Sequence, residues 1–134
     1  MSHKVQNTND KLMVKADYFK KIKYHLGENS YQRALTFNEL AFDWDGDGAQ
    51  KLSEQSLVKF IEFIEFFDLK NFDGTNSVFM DHDGLLSLAL SPSTLKQRHL
   101  EITFGDNISI IDLKFNEHVF DNLEDIKLNS FFLI

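Results

Sequence analysis

The sequence predicts an α+β domain in which N-terminal helices pack on one face of an antiparallel β-sheet (a meander), and a change of pattern along the chain carries that prediction. Up to about residue 67, apolar side chains recur at helical spacing. From about residue 77 they alternate with polar ones, and Asp-Gly and Ser-Pro turns separate the runs. A chain of 134 residues is one domain, 1–134, with a helical part at about 10–67 and a sheet part at about 77–134. Such a length buries about two thirds of the surface its unfolded chain exposes.

The elements follow in order. Asp10 is an N-cap candidate, Leu12, Phe19, Ile22 and Leu26 share one helical face, and Gly27 is a natural helix terminator, so the first helix is expected over 11–26. A second is expected between Ser30 and Phe42 with Ala34, Leu35 and Leu40 in the core. Thr36-x-x-Glu39 offers an alternative start there as a capping box. Ser53 caps the third helix, 53–67, whose stripe of Leu57, Phe60, Ile61, Ile64 and Phe67 should face the sheet. Phe63 and Phe66 widen that stripe beyond the needs of a surface helix. Either Phe131-Phe132-Leu133-Ile134 covers the extra face, or the aromatics meet a partner.

In the second half, Leu86, Leu88 and Leu90 alternate with Ser87 and Ala89, and Leu100, Ile102 and Phe104 with Glu101 and Thr103. Ile108 and Ile110 then give way to Ile111, Leu113 and Phe115, a phase shift that predicts a bulge near Ile110. Turns are expected at Asp81–Gly84, Ser91-Pro92-Ser93 and Gly105-Asp106-Asn107. The segment Asn116–Lys127 is expected to hold a short helix before a final strand at 128–134.

The most specific motif is Asp43-Trp44-Asp45-Gly46-Asp47-Gly48-Ala49-Gln50-Lys51-Leu52-Ser53-Glu54, which fits the spacing of an EF-hand calcium loop. Carboxylates of Asp43, Asp45 and Asp47, the carbonyl of Ala49 and a bidentate Glu54 would give Ca2+ an oxygen cage. Against this, Gln50 and Lys51 stand where an apolar residue and a water-carrying position are usual, and no second loop is present. Asp81-His82-Asp83-Gly84 begins in the same way but runs into Leu85-Leu86-Ser87-Leu88. The alternative is a purely structural turn: every glycine except Gly27 adjoins an aspartate, the ordinary chemistry of tight turns.

The run Trp44-Asp45-Gly46-Asp47-Gly48-Ala49, with Ser53-Glu54 opening a helix, Asp83-Gly84 before an alternating strand and then Leu100-Glu101-Ile102, resembles a group of small uncharacterised bacterial proteins that share a W-D-G-x-G-A segment. The likeness covers about residues 35–114. It implies a structural turn rather than a metal cage, because the position after Trp-Asp-Gly varies in that group, and it carries no activity.

Composition narrows the function classes. With no cysteine there are no disulfides, thiolate zinc sites or thiol catalysis, and a reducing cytoplasm is the expected location. No apolar run reaches the length of a membrane span. The net charge of −7 is unevenly spread: residues 1–35 carry an excess of lysine, and the remainder is strongly acidic. Lysines on one helix without a recognition motif do not make nucleic acid the expected partner.

No nucleophile elbow, zinc-protease signature, phosphate loop or dinucleotide fingerprint occurs, so no enzyme activity is expected. Of the histidines, His82 between Asp81 and Asp83 is the notable one; a general-base or metal role would need a third group. In general character the chain resembles the small acidic inhibitors that bacteria and phages direct at nucleases: immunity proteins, antitoxins and anti-defence proteins. The expected partner is a toxin, nuclease or nucleic-acid-binding effector whose basic cleft an acidic face can occupy. The expected partner-binding residues are Asp43, Asp45, Asp47, Glu62, Phe63, Glu65, Phe66, Asp81 and Asp83, on a monomer or homodimer without a cofactor.

Overall fold

The computed structural model describes residues 8–69, 72, 77–91 and 99–132. Three helices, α1 (Thr8–Leu26), α2 (Glu28–Glu39) and α3 (Glu54–Phe66), precede five strands, β1 (Ser77–Met80), β2 (Leu86–Leu90), β3 (Leu100–Phe104), β4 (Ile108–Ile111) and β5 (Glu117–Phe120). The strands form an antiparallel sheet in sequence order, as the alternating pattern predicts. Single-turn 3-10 segments follow at Leu123–Asp125 and Leu128–Phe132.

Gly27 separates the first two helices within one residue. Its φ of 96° suits glycine, and its N–H closes on the Lys23 carbonyl while its own carbonyl receives Tyr31 N–H. The first helix begins at Thr8, so Asp10 lies within it rather than capping it. Thr36 is likewise interior to α2, its hydroxyl donating back to the Gln32 carbonyl at 3.0 Å, so no capping box forms there. Ser53 does cap α3, accepting Ser56 N–H at 3.1 Å.

The stripe on α3 buries Leu57, Phe60, Ile61 and Ile64 against the inner face of the sheet, which presents Val78, Leu86, Leu88, Leu90, Leu100, Ile102, Phe104, Ile108 and Ile110. Phe63 belongs to this core: it is fully buried, its ring 5.3 Å from Phe104 and 4.7 Å from Phe67. The expectation of Phe63 as a partner contact is therefore corrected, because the wide apolar arc wraps into the fold. Phe66 points outward and is 51% exposed. A buried polar anchor joins the layers: Ser56 Oγ accepts Leu86 N–H at 2.8 Å. At the outer edge, Arg33 of α2 donates from Nε to the Val78 carbonyl at 2.8 Å and lies over the Phe79 ring, closing one acceptor of the edge strand β1.

The second half departs from expectation in three places. β4 pairs with β3 in unbroken register from Phe104↔Ile108 to Glu101↔Ile111, so no bulge stands near Ile110. The phase shift has another cause: Leu113 and Phe115 lie in a hairpin turn. Asp112 N–H donates to the Asn116 carbonyl, and Phe115 takes a φ of 68°. Residues 116–127 then open with strand β5 before the 3-10 turn, where only a short helix was expected.

The expected last strand is a 3-10 segment instead. Its Leu128 is buried, and Phe131 lies against His118 and Phe120 while Phe132 lies against Phe72. Phe131 thus covers β5, while Phe132 packs away from it on Phe72. Leu133 and Ile134, and Pro92-Ser93 of the expected turn, lie outside the described residues.

Candidate partner-binding surfaces

The loop between α2 and α3 closes on itself with its own carboxylates. Asp43, Gly46 and Gly48 take φ values of 66°, 73° and 79°, which turns successive N–H groups inward. Asp43 Oδ1 accepts Gly48 N–H at 2.6 Å, and Asp45 Oδ1 accepts Asp47 N–H at 2.8 Å and Ala49 N–H at 3.1 Å. Asp43 N–H donates to the Ala49 carbonyl at 2.6 Å, and Trp44 Nε1 donates to the Gln50 carbonyl at 2.7 Å.

The closed loop is fastened to the β1–β2 turn. Gln50 N–H donates to the His82 carbonyl at 2.8 Å and Ser53 N–H to the Gly84 carbonyl at 2.9 Å. Gly84 must be glycine here, since its φ is 78° and a Cβ would overlap the Lys51 carbonyl oxygen. Asp81 organises the turn itself, its Oδ1 accepting from Asp83 N–H and Leu85 N–H at 2.9 Å each. His82 Nδ1 meets Asp45 Oδ2 at 2.9 Å, which brings Asp43, Asp45, Asp47, Asp81 and Asp83 to one surface.

These contacts displace two titrations. Hydrogen bonding from Asp47 N–H, then from His82 and Ala49 N–H, holds the Asp45 carboxyl below its ordinary value of 3.8. The bond to Asp45, with the charges of Asp45, Asp47 and Asp83, raises His82 above 6.5. The β4–β5 turn repeats the scheme: Asp112 Oδ1 accepts Lys114 and Asn116 N–H, and its Oδ2 bonds His118 Nε2 at 2.8 Å. The bond to His118 comes first in lowering the Asp112 carboxyl to about 2.

The oxygens that a calcium cage would use are arranged otherwise. The Ala49 carbonyl receives Asp43 N–H, and Glu54 turns to Lys15 at 3.4 Å. Among the described residues no group of three or more His, Cys, Asp or Glu is placed to hold a metal ion.

Glu62, Glu65 and Phe66 lie on a different surface. With Lys59 they form the α3 wall of a groove of about 560 Å³. The opposite wall is the β3–β4 turn at Asp106 and the segment bearing Asp121, Leu123 and Glu124. Lys59 is held by the carbonyls of Gly105 and Asp106, and Glu65 pairs with Lys21 at 3.3 Å. The carboxylates of Glu62, Asp106, Asp121 and Glu124 are exposed and have no hydrogen-bond or ion-pair partner among the described residues.

Sequence reasoning missed the groove's second wall. The acidic run 121–125 was visible as composition, but nothing in the sequence places it opposite α3. Comparison with protein-family models, with curated proteins and with solved structures finds no match. No helix among the described residues is long and apolar enough to cross a membrane.

Proposed function

We propose that this chain is a non-enzymatic interaction protein of bacterial or phage origin, an acidic inhibitor of the immunity-protein, antitoxin or anti-defence kind. In this reading it blocks a basic nucleic-acid-processing enzyme by occupying the cleft that otherwise holds phosphates. The observation that carries it is the gathering of carboxylates onto two surfaces: the exposed Asp43, Asp45, Asp47 and Asp83 with the half-buried Asp81 on one, and Glu62, Glu65, Asp121 and Glu124 around Phe66 on the other. Dense negative potential speeds encounter with a basic partner and is weakened by salt over a Debye length of about 8 Å. The W-D-G-x-G-A likeness fits this reading through the fold alone, as the turn that joins the helices to the sheet.

The test is to isolate proteins that bind the immobilised chain and to measure the association rate of the bound partner at rising ionic strength. A nuclease or other nucleic-acid enzyme that is inhibited, with association slowing as salt rises, supports the reading. Turnover of a substrate by the purified chain itself, or inhibition insensitive to salt, overturns it.

A further inference from the structure

The geometry points to the groove between α3, the β3–β4 turn and the 121–124 segment as the docking site for an extended, lysine- or arginine-rich segment of a protein partner, one of whose apolar side chains rests on Phe66. This rests on the reading of the chain as an acidic interaction protein and says which surface does the binding. The argument is a difference between the two acidic surfaces. At the 43–49 loop and the Asp81 turn, carboxylate oxygens of Asp43, Asp45 and Asp81 are occupied by their own backbone, and Asp45 also by His82. Their capacity to accept from a partner is reduced, and moving them would undo the turn.

In the groove the balance is reversed. Glu62, Asp121 and Glu124 have no partner among the described residues, and the one lysine of the lining donates to carbonyls of the β3–β4 turn. The groove also sets an apolar element among its carboxylates, inside a concave lining. Phe66 is 51% exposed beside Glu62, and Leu123 and Ile108 line the same cavity. A half-exposed aromatic ring in a groove with the unpaired carboxylates of Glu62, Asp121 and Glu124 complements a segment in which cations bracket an apolar side chain. A strand-like segment suits it, because alternate side chains then point the same way.

The experiment uses a fluorescein-labelled, acetylated octapeptide of lysines with one central leucine, and a second in which glutamine replaces that leucine. Binding to the full chain is followed by anisotropy from about 50 to about 300 mM salt. The variants are Glu62→Lys/Asp121→Lys in the groove, Asp47→Lys/Asp83→Lys at the loop surface and Phe66→Ser, each retaining the melting temperature of the parent within a few degrees. The site predicts about a tenfold weakening for the groove pair, little change for the loop pair, and loss of the leucine preference in Phe66→Ser. If the loop pair weakens binding as much as the groove pair, the groove assignment is wrong while the acidic reading stands. If the two peptides bind the parent equally, the role of Phe66 falls, and if the parent binds neither, the groove and the acidic reading fall together.

Discussion

Asp43, Asp45 and Asp81 each aim a carboxylate oxygen at N–H groups of their own loop, whereas Glu62, Asp121 and Glu124 aim none at any described residue. The cause is the backbone around them. An aspartate shortly before a positive-φ glycine has unsatisfied N–H groups within reach of its short side chain. A glutamate inside α3 has none, because the helix ladder has already engaged them. The same charge is thus a structural element in one place and an unengaged binding group in the other, and composition alone cannot tell them apart.

The largest effect that would break this comparison is expected at Gly84. Gly84→Ala places a Cβ into the Lys51 carbonyl at a φ of 78°, so urea unfolding should show a loss of about 3 kcal/mol or more. A near-neutral result would mean that the loop and the β1–β2 turn are not held together as described.

Next come the two sides of α3. Phe60→Ala and Ile64→Ala should each cost about 2 to 5 kcal/mol, through lost burial and the cavity left behind. Phe66→Ala should stay within about 0.5 kcal/mol of the parent, because half of that ring already faces solvent. A large loss at Phe66 would place it in the core and remove the apolar element of the groove.

Much of this architecture was legible in the sequence because its signals are local. The helical stripe of α3, the Ser53 cap, Gly27 and the alternation of β2 and β3 each depend on neighbours a few residues away, and the structure keeps them all. The errors arise where an apolar letter has two uses. Leu113 and Phe115 continue an alternating pattern yet sit in a turn that Asp112 nucleates, and Phe131-Phe132 read as strand but pack as a 3-10 segment, Phe131 over β5 and Phe132 on Phe72. The candidate surfaces were half legible: the Asp43–Asp47 cluster is contiguous, whereas the groove joins residues about sixty positions apart.

A smaller, pH-dependent effect sharpens the role of turn aspartates. Asp112 is depressed to about 2 from 3.8, so it contributes stability above about pH 4 that is lost as pH falls toward 2. Asp112→Asn keeps an oxygen for Lys114 and Asn116 N–H but removes the charge that His118 favours, so its stability should fall less steeply over that interval. His82 has the opposite sign: raised above 6.5, it contributes stability below that pH which is lost as pH climbs through its folded value, and His82→Gln should abolish that loss.

The smallest expected effect is calcium. Trp44, the single tryptophan, lies within the 43–54 loop, and additions up to about millimolar Ca2+ are expected to leave its fluorescence and the melting temperature unchanged. Saturable binding abolished by Glu54→Gln would return the Asp43, Asp45 and Asp47 carboxylates to a metal.

The most direct measurement is the melting temperature of two triple variants that remove equal charge from the two surfaces: Asp43→Ala/Asp45→Ala/Asp81→Ala and Glu62→Ala/Asp121→Ala/Glu124→Ala. Losing a turn carboxylate leaves backbone N–H groups of its turn without an acceptor, and each such loss should lower the midpoint of a domain this size by a few degrees. The first variant is therefore expected to melt about 10 °C below the parent and the second within a few degrees of it. Equal losses, or a larger loss for the groove variant, would contradict the division between structural and available carboxylates.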